Sequence, residues 1–273
     1  MLRSAVGILL VPLLLWAQPN DEEKEWMVFR WSSFVEAPSL GVSGSVAQLQ
    51  REGMGLRFRG PAVALRLGSA ELRMLRSAPL EQYEHSYGFL AVAPSLHRAD
   101  TLQLRWWRFG VGRQQGYGYR LGSRGAFLLL SGGGVHWSHS TRVEGADVEA
   151  LQPFEQKLRF GSVREGMVLV QLTPVLGIGL GFERAVIFPA HLVWKHLGST
   201  LIEVVGAEVI VGGFVRRILK ARVPQAAPVV NFLLRSGFAM GWTELLRKRM
   251  NWPFDSPPPA VLDQLQFSVQ LLF

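Results

Sequence analysis

Between positions 26 and 182 apolar and polar residues alternate with a period of two, interrupted by Gly, Pro and polar turns. Met27, Phe29 and Trp31 alternate with Val28, Arg30 and Ser32, and Phe58 sits between Arg57 and Arg59. Val63, Leu65 and Leu67 flank Ala64 and Arg66; Leu102, Leu104 and Trp106 flank Gln103 and Arg105; Tyr117, Tyr119 and Leu121 flank Gly118 and Arg120. Successive side chains of a strand point to opposite faces, so each run predicts a strand with one apolar face and one basic, polar or small face. That pattern serves a membrane barrel with lipid outside and a polar lumen, or a half-buried antiparallel sheet in water. Some runs, such as 55–59, fall short of the ~9–11 residues of a tilted spanning strand. They must merge with their neighbours, and the expected count is eight to twelve strands, towards the low end.

Residues 141–156, TRVEGADVEALQPFEQ, are acidic and Pro-containing and predict a loop with a helical turn. Alternation then resumes, and Leu176, Ile178, Leu180 and Phe182 alternate with Gly177, Gly179 and Gly181. A glycine in every second place bares one sheet face, which other atoms approach closely. After Phe182 the period changes. Residues 229–250 have apolar groups at 229, 230, 233, 234, 238, 242, 245 and 246, the pattern of a helical face. Pro228 suits its first turn, and Arg247, Lys248 and Arg249 suit its C-terminal dipole end. Residues 188–220 also read as helix, although the β-branched stretch from Ile202 to Val215 suits a hairpin as well. The segment 188–250 is therefore expected to be a helical insertion. Packed on the stripe of Gly177, Gly179 and Gly181, it would plug the lumen or cap the periplasmic end.

The last strand, 262–273, reads LDQLQFSVQLLF. Leu265, Phe267, Val269, Leu271 and Phe273 share one face, while Gln264, Gln266, Ser268 and Gln270 share the other. This resembles the C-terminal β-signal of bacterial outer-membrane barrels, in which alternate apolar residues lead to a terminal aromatic. The resemblance implies that the barrel-assembly machinery reads this segment and that the last strand pairs with the first to close the ring.

The N-terminus agrees with export. MLRSAVGILLVPLLLWA carries Arg3, an apolar run from Ala5 to Trp16 and Ala17 before a cut, the layout of a secretory signal, so 1–17 is set apart from 18–273, a single barrel domain. The run is far short of the ~20 residues of a membrane helix, and no Cys follows it to carry a lipid anchor. The 273 residues contain no Cys, which excludes disulfides, thiol catalysis and thiolate metal sites. Charged residues are 18% and Gly numbers 29, a charge-poor, glycine-rich balance that suits a barrel in lipid. The net charge of +8 becomes +7 without Arg3. For an exported chain, outer-membrane lipids and lipopolysaccharide phosphates are the natural partners of that excess, and nucleic acid is not.

Candidate chemistry is sparse. In VHWSHS, 135–140, His136 and Ser138 project on one strand face, where a base and a nucleophile meet. The pair resembles the His-x-Ser of outer-membrane lipid A deacylases; the chain has His139 where that family usually has Asn, with Glu144 or Glu149 as the acidic partner. A polar cluster near the barrel rim is the preferred reading. His191 and His196 are five apart, whereas helical metal pairs sit four apart, so they read as packed histidines. Glu203 and Glu208 are expected to pair with lumen arginines such as Arg57, Arg59 or Arg66. No cofactor motif is present. The chain thus reads as a mainly β, antiparallel transmembrane β-barrel in the bacterial outer membrane, with a helical insertion before the last strand. Its expected role is non-enzymatic: transport, assembly or scaffolding. A lipid hydrolase using His136 and Ser138 and a periplasmic β-rich lipid-binding protein are the alternatives.

Overall fold

The computed structural model describes residues 37–52, 57–75, 80–98, 102–122, 125–144, 151–190, 192–220 and 224–273. The proposed signal 1–17 and the alternation at 27–32 lie outside them. The described residues form eight strands: β1 (Ala37–Arg51), β2 (Arg57–Met74), β3 (Leu80–Arg98), β4 (Leu102–Leu121), β5 (Gly125–Glu144), β6 (Leu158–Gln171), β7 (Leu176–Ile187) and β8 (Ala260–Leu272). Each pairs antiparallel with its chain neighbours, and β8 pairs with β1, so the sheet closes into a barrel. The short runs do merge. Arg57 to Leu67 lie in one 18-residue strand that passes through Pro61. Proline donates no ladder hydrogen bond, and the β2–β3 register shifts between Arg59 and Val63, beside Pro61. A second shift, between Ala93 and Leu96, spans Pro94. Both prolines are absorbed by local irregularities of the ladder.

Opposed residues followed once around the ring from Leu40, through Leu67, Gly88, Val111, Val135, Ser162, Val186 and Val261, return to β1 at Gln50. That ten-residue stagger tilts the strands, and eight tilted strands leave an interior only wide enough for side chains. One end of the barrel carries the tight connections β2–β3, β4–β5 and β6–β7. The other carries both long ones, β5–β6 and β7–β8.

The β7–β8 connection holds the helices. Helix α1 (Val193–Gly206) continues through a π-helical turn (Ala207–Gly212) into α2 (Gly213–Leu219), and after a 3-10 turn (Pro224–Ala226) α3 (Ala227–Lys248) runs back. The β-branched stretch that also suited a hairpin is helical. Two arms result. His196 of α1 meets Phe160 and Phe188 at the long-loop end, whereas Val215 and Leu219 of α2 pack with Leu75 and Leu80 at the tight-turn end. Ala227 starts α3 in that second cluster, and Met250, just beyond α3, packs on Val186 and Phe188 at the first end.

Candidate functional site

The lumen is built from the residues that alternate inward, and it is layered. Its middle carries Arg66 of β2, Arg108 of β4, Glu165 of β6 and Glu183 of β7, all buried. Arg66 Nη2 lies 2.9 Å from Glu165 and 3.1 Å from Glu183, and donates to Gln266 Oε1 at 3.3 Å. Arg108 donates to Glu183 and, at 2.7 Å, to Gln264 Oε1; Tyr87 donates to Glu165. Two cations and two anions thus neutralise each other across the ring, which is what lets charges persist away from water. Towards the tight-turn end the layer gives way to Tyr83, Leu128, Leu130, Met167 and Leu169. Towards the long-loop end it gives way to Phe58, Leu96, Leu104, Trp106 and Ile187, capped by Leu151 and Phe154 of the β5–β6 loop. Ser140 Oγ donates to the Phe154 carbonyl at 3.0 Å, and Arg159 Nε to the Pro153 carbonyl at 2.6 Å, which hold that loop in the mouth.

Two sequence expectations are corrected by this arrangement. At 57–59 and 103–106 the apolar residues Phe58, Leu104 and Trp106 face the lumen, while Arg57, Arg59 and Arg105 are exposed on the outer wall. Alternation fixes two faces without saying which is inside, and near this mouth the interior is the apolar one. The helical plug or cap is likewise overturned. The lumen is filled by its own side chains and the β5–β6 loop, so a helix some 10 Å across has no room there.

The helices lie on the outer wall. Inward Glu165 and Glu183 place Arg164 and Arg184 on the outside of β6 and β7, and both grip the helices. Arg164 Nη2 is 2.5 Å from Glu203 of α1, and Arg184 Nη1 is 3.0 Å from Glu244 of α3. Tyr119 donates from its hydroxyl to the Gln225 carbonyl at 2.6 Å, and Arg247 lies 3.2 Å from Glu52. A Cβ built on Gly166 would come 2.6 Å from the Phe182 ring of β7 and 3.0 Å from Ser236 Oγ of α3, so this glycine leaves room for both the ring and the helix. Between hairpin and wall lies a cavity of about 60 Å3 lined in part by Ser162, Arg164, His196, Ser199, Glu203 and Trp242. Its lining is mostly apolar, but Ser162, Arg164, Ser199 and Glu203 offer polar partners, and it is large enough for water. Glu203 thus finds Arg164 rather than a lumen arginine; the Glu208 side chain lies outside the described residues.

Much of the outer wall away from the helices is greasy, with the outward Glu84–Arg113 pair as an exception. Val42, Val46, Val63, Leu65, Leu67, Leu90, Phe109, Val111, Leu180, Leu265, Phe267 and Val269 point outward and are 37–65% exposed. At the long-loop side of this belt, Trp107, Phe109, Trp137 and Phe160 form a chain of ring contacts at 5.5–5.9 Å, joined by His139 on Trp107.

The residues singled out from sequence fall into this frame as follows. Leu265, Phe267, Val269 and Phe273 are exposed and Leu271 is half-buried, with Gln264, Gln266, Ser268 and Gln270 buried in the lumen. Gly177, Gly179 and Gly181 do bare the lumen face. Yet a Cβ at Gly179 would meet Ser268 Oγ at 2.6 Å and Met167 Sδ at 3.0 Å, and one at Gly177 would meet Leu169. These are side chains of neighbouring strands, not of the helices. The docking glycine is Gly166, and the bare patch under the hairpin is Ser131, Gly133, Ser162 and Gly166. Small outward residues on two successive strands were the readable signal for it.

His136 and Ser138 do share one face, but it is the lumen face, where they are 0% and 1% exposed. Ser138 Oγ donates to the Arg159 carbonyl at 3.4 Å, and neither His136 ring nitrogen has a hydrogen-bond partner among the described residues. Glu149 and His191 lie outside the described residues. His196 packs edge-on against Phe160 and Phe188.

No protein family and no curated protein matches the chain. Among solved structures it is similar to Neisserial surface protein A, with a TM-score of 0.42 and 9% identity over 86% of this chain and 97% of that one. It is also similar to Ail, the attachment invasion locus protein of Yersinia pestis, alone and in complex with the heparin analogue sucrose octasulfate. In both cases the TM-score is 0.34 and the identity 8%, over 88% of this chain and 100% of that one.

Proposed function

We propose that the chain is an outer-membrane β-barrel with a non-enzymatic scaffolding role in the envelope, not a channel and not a hydrolase. The observation that carries this reading is the outward belt of large apolar side chains around a lumen that is already full. Soluble monomers rarely expose contiguous apolar patches beyond a few hundred Å2, and a belt on a closed barrel is satisfied by acyl chains. A full lumen argues against transport, and the enclosure of His136 and Ser138 argues against their reaching a lipid ester. In barrels of this kind tight turns face the periplasm and long loops face outward, so the long-loop end is the external one. Arg57, Arg59 and Arg105 stand there just beyond the belt, suited to lipopolysaccharide phosphates. Export by 1–17 and insertion by the barrel-assembly machinery through Leu265, Phe267, Val269, Leu271 and Phe273 complete the reading.

The test is fractionation of cells expressing the chain, combined with gel mobility before and after boiling. Sedimentation with the outer membrane and a band that shifts on heating are expected. A chain recovered in the periplasmic extract, with mobility indifferent to heating, would refute the reading.

A further inference from the structure

The wall beneath the hairpin is unlike most of the exterior. Where β1, β2 and β8 present mostly Val, Leu or Phe at mid-wall, β5 and β6 present Ser131, Gly133, Ser162, Arg164 and Gly166. The outward Glu84–Arg113 pair of β3 and β4 is another charged place on the described wall. Bare to hydrocarbon, this strip would set an arginine and hydroxyls against acyl chains, which is costly. The hairpin removes that cost by covering the strip: Glu203 neutralises Arg164, and Asn231, Ser236 and Thr243 of α3 are buried.

Its opposite face is apolar. Trp194, Leu201, Val205, Val209, Ile210 and Leu233 are all exposed. The arm Trp194–Leu219 has 26 residues and α3 has 22, about 39 Å and 33 Å at the α-helical rise. Each exceeds the ~30 Å of a bilayer's hydrocarbon core. The arm is also apolar enough along its length to cross one, whereas α3 carries Arg235 and Glu244, which bond to Asn231 and to Arg184 of the wall, respectively. Cations mark both ends, with Arg216, Arg217 and Lys220 near the turn and Arg247, Lys248 and Arg249 at the return. Lysine and arginine at such positions reach the headgroups.

We infer that the helical hairpin crosses the same bilayer as the strands, with acyl chains as the occupant of its outer face. The inference rests on the membrane-barrel reading above. The chain then spans the membrane with eight strands and two helices. The helices supply the lipid-facing surface that β5 and β6 lack.

The absence of cysteine makes the test direct. Val209→Cys and Leu233→Cys on the hairpin, Phe267→Cys on the barrel belt and Lys220→Cys at the turn would each carry an environment-sensitive fluorophore. The full chain would be placed in phosphatidylcholine vesicles containing phospholipids spin-labelled deep in the acyl chain, after its heat-shifted band confirms folding. Loss of most of the fluorescence at 209 and 233, to the same extent as at 267, with 220 answering instead to aqueous iodide, is the expected result. Quenching of 209 and 233 by iodide while 267 answers to the lipid probe would place the hairpin in water and overturn the inference, leaving the barrel reading intact. Protection of 209 and 233 from both quenchers would mean that a second copy or another protein covers them, and also overturns it. Iodide quenching at 267 would sink the barrel reading itself.

Discussion

At the residue scale the charged layer in the lumen is the feature with the largest stake in stability. Glu183 is shared: Arg66 and Arg108 both lean on it, and both are buried. Glu183→Leu leaves two guanidinium groups with Glu165 as the remaining carboxylate of the layer. Removing one partner of a buried pair costs about 3–5 kcal/mol, because the other charge stays desolvated. Taking out both members with hydrophobic residues of similar volume is often near neutral. Glu183→Leu is therefore expected to lower the urea midpoint in detergent sharply, and Arg108→Leu combined with Glu183→Leu to recover most of the loss. A double variant no better than the single one would show that the layer's role is not charge balance. Sequence made half of this legible. Arg66 was readable as inward because Val63, Leu65 and Leu67 had to face lipid. Its partners were not, since Glu165 and Glu183 lie 99 or more positions away and only the closed ring brings them across.

At the element scale, alternation told where strands run and not which way each faces. It read Val63 to Leu67 and Leu265 to Phe273 correctly. It reversed Phe58 and Leu104 to Trp106, because at the long-loop mouth the inward side of these strands is packed with large apolar side chains. The helices were legible as helices, for α3 from its apolar periodicity and Pro228. For the β-branched arm the sequence left a choice between helix and hairpin, and the structure has the helix. In the bilayer inferred above, a helix would satisfy its own backbone where a lone hairpin would not. Their place was not legible from the glycine stripe of β7. Two glycines now separate the possibilities. Gly166→Leu drives a side chain into Ser236 and the Phe182 ring, where a Cβ would already sit at 3.0 and 2.6 Å. Gly179→Leu overpacks the lumen against Ser268 and Met167. With cysteines replacing Arg184 and Glu244, whose side chains meet at 3.0 Å, a short thiol cross-linker joins α3 to the wall. Gly166→Leu should abolish that cross-link. Gly179→Leu should preserve it while lowering barrel stability by roughly 1–3 kcal/mol. Loss of the cross-link in both variants, or in neither, would contradict the docking described.

At the scale of the whole molecule, a barrel sealed by three layers should not conduct. Planar bilayers containing the folded chain are expected to stay silent. Phe154→Ala should also leave them silent, since the charged layer lies beneath the loop it would loosen. Steady conductance in either case would reopen a transport role. Phe273 bears on the assembly route proposed above. It donates its backbone N–H to the Pro38 carbonyl at 2.9 Å, closing the ring between last strand and first, but the residue is 67% exposed. A residue that packs so little contributes little to the folded state, whereas the proposed β-signal reading gives its ring a role in recognition. Phe273→Asp keeps the backbone bond and removes the ring, so it separates the two roles. Refolded from urea into detergent micelles, the variant should reach the heat-shifted form with a midpoint close to that of the unaltered chain. In cells its outer-membrane level should fall, with the remainder lost to periplasmic proteolysis. Poor refolding in detergent would make Phe273 a structural residue after all, and normal levels in both settings would remove the β-signal from the account.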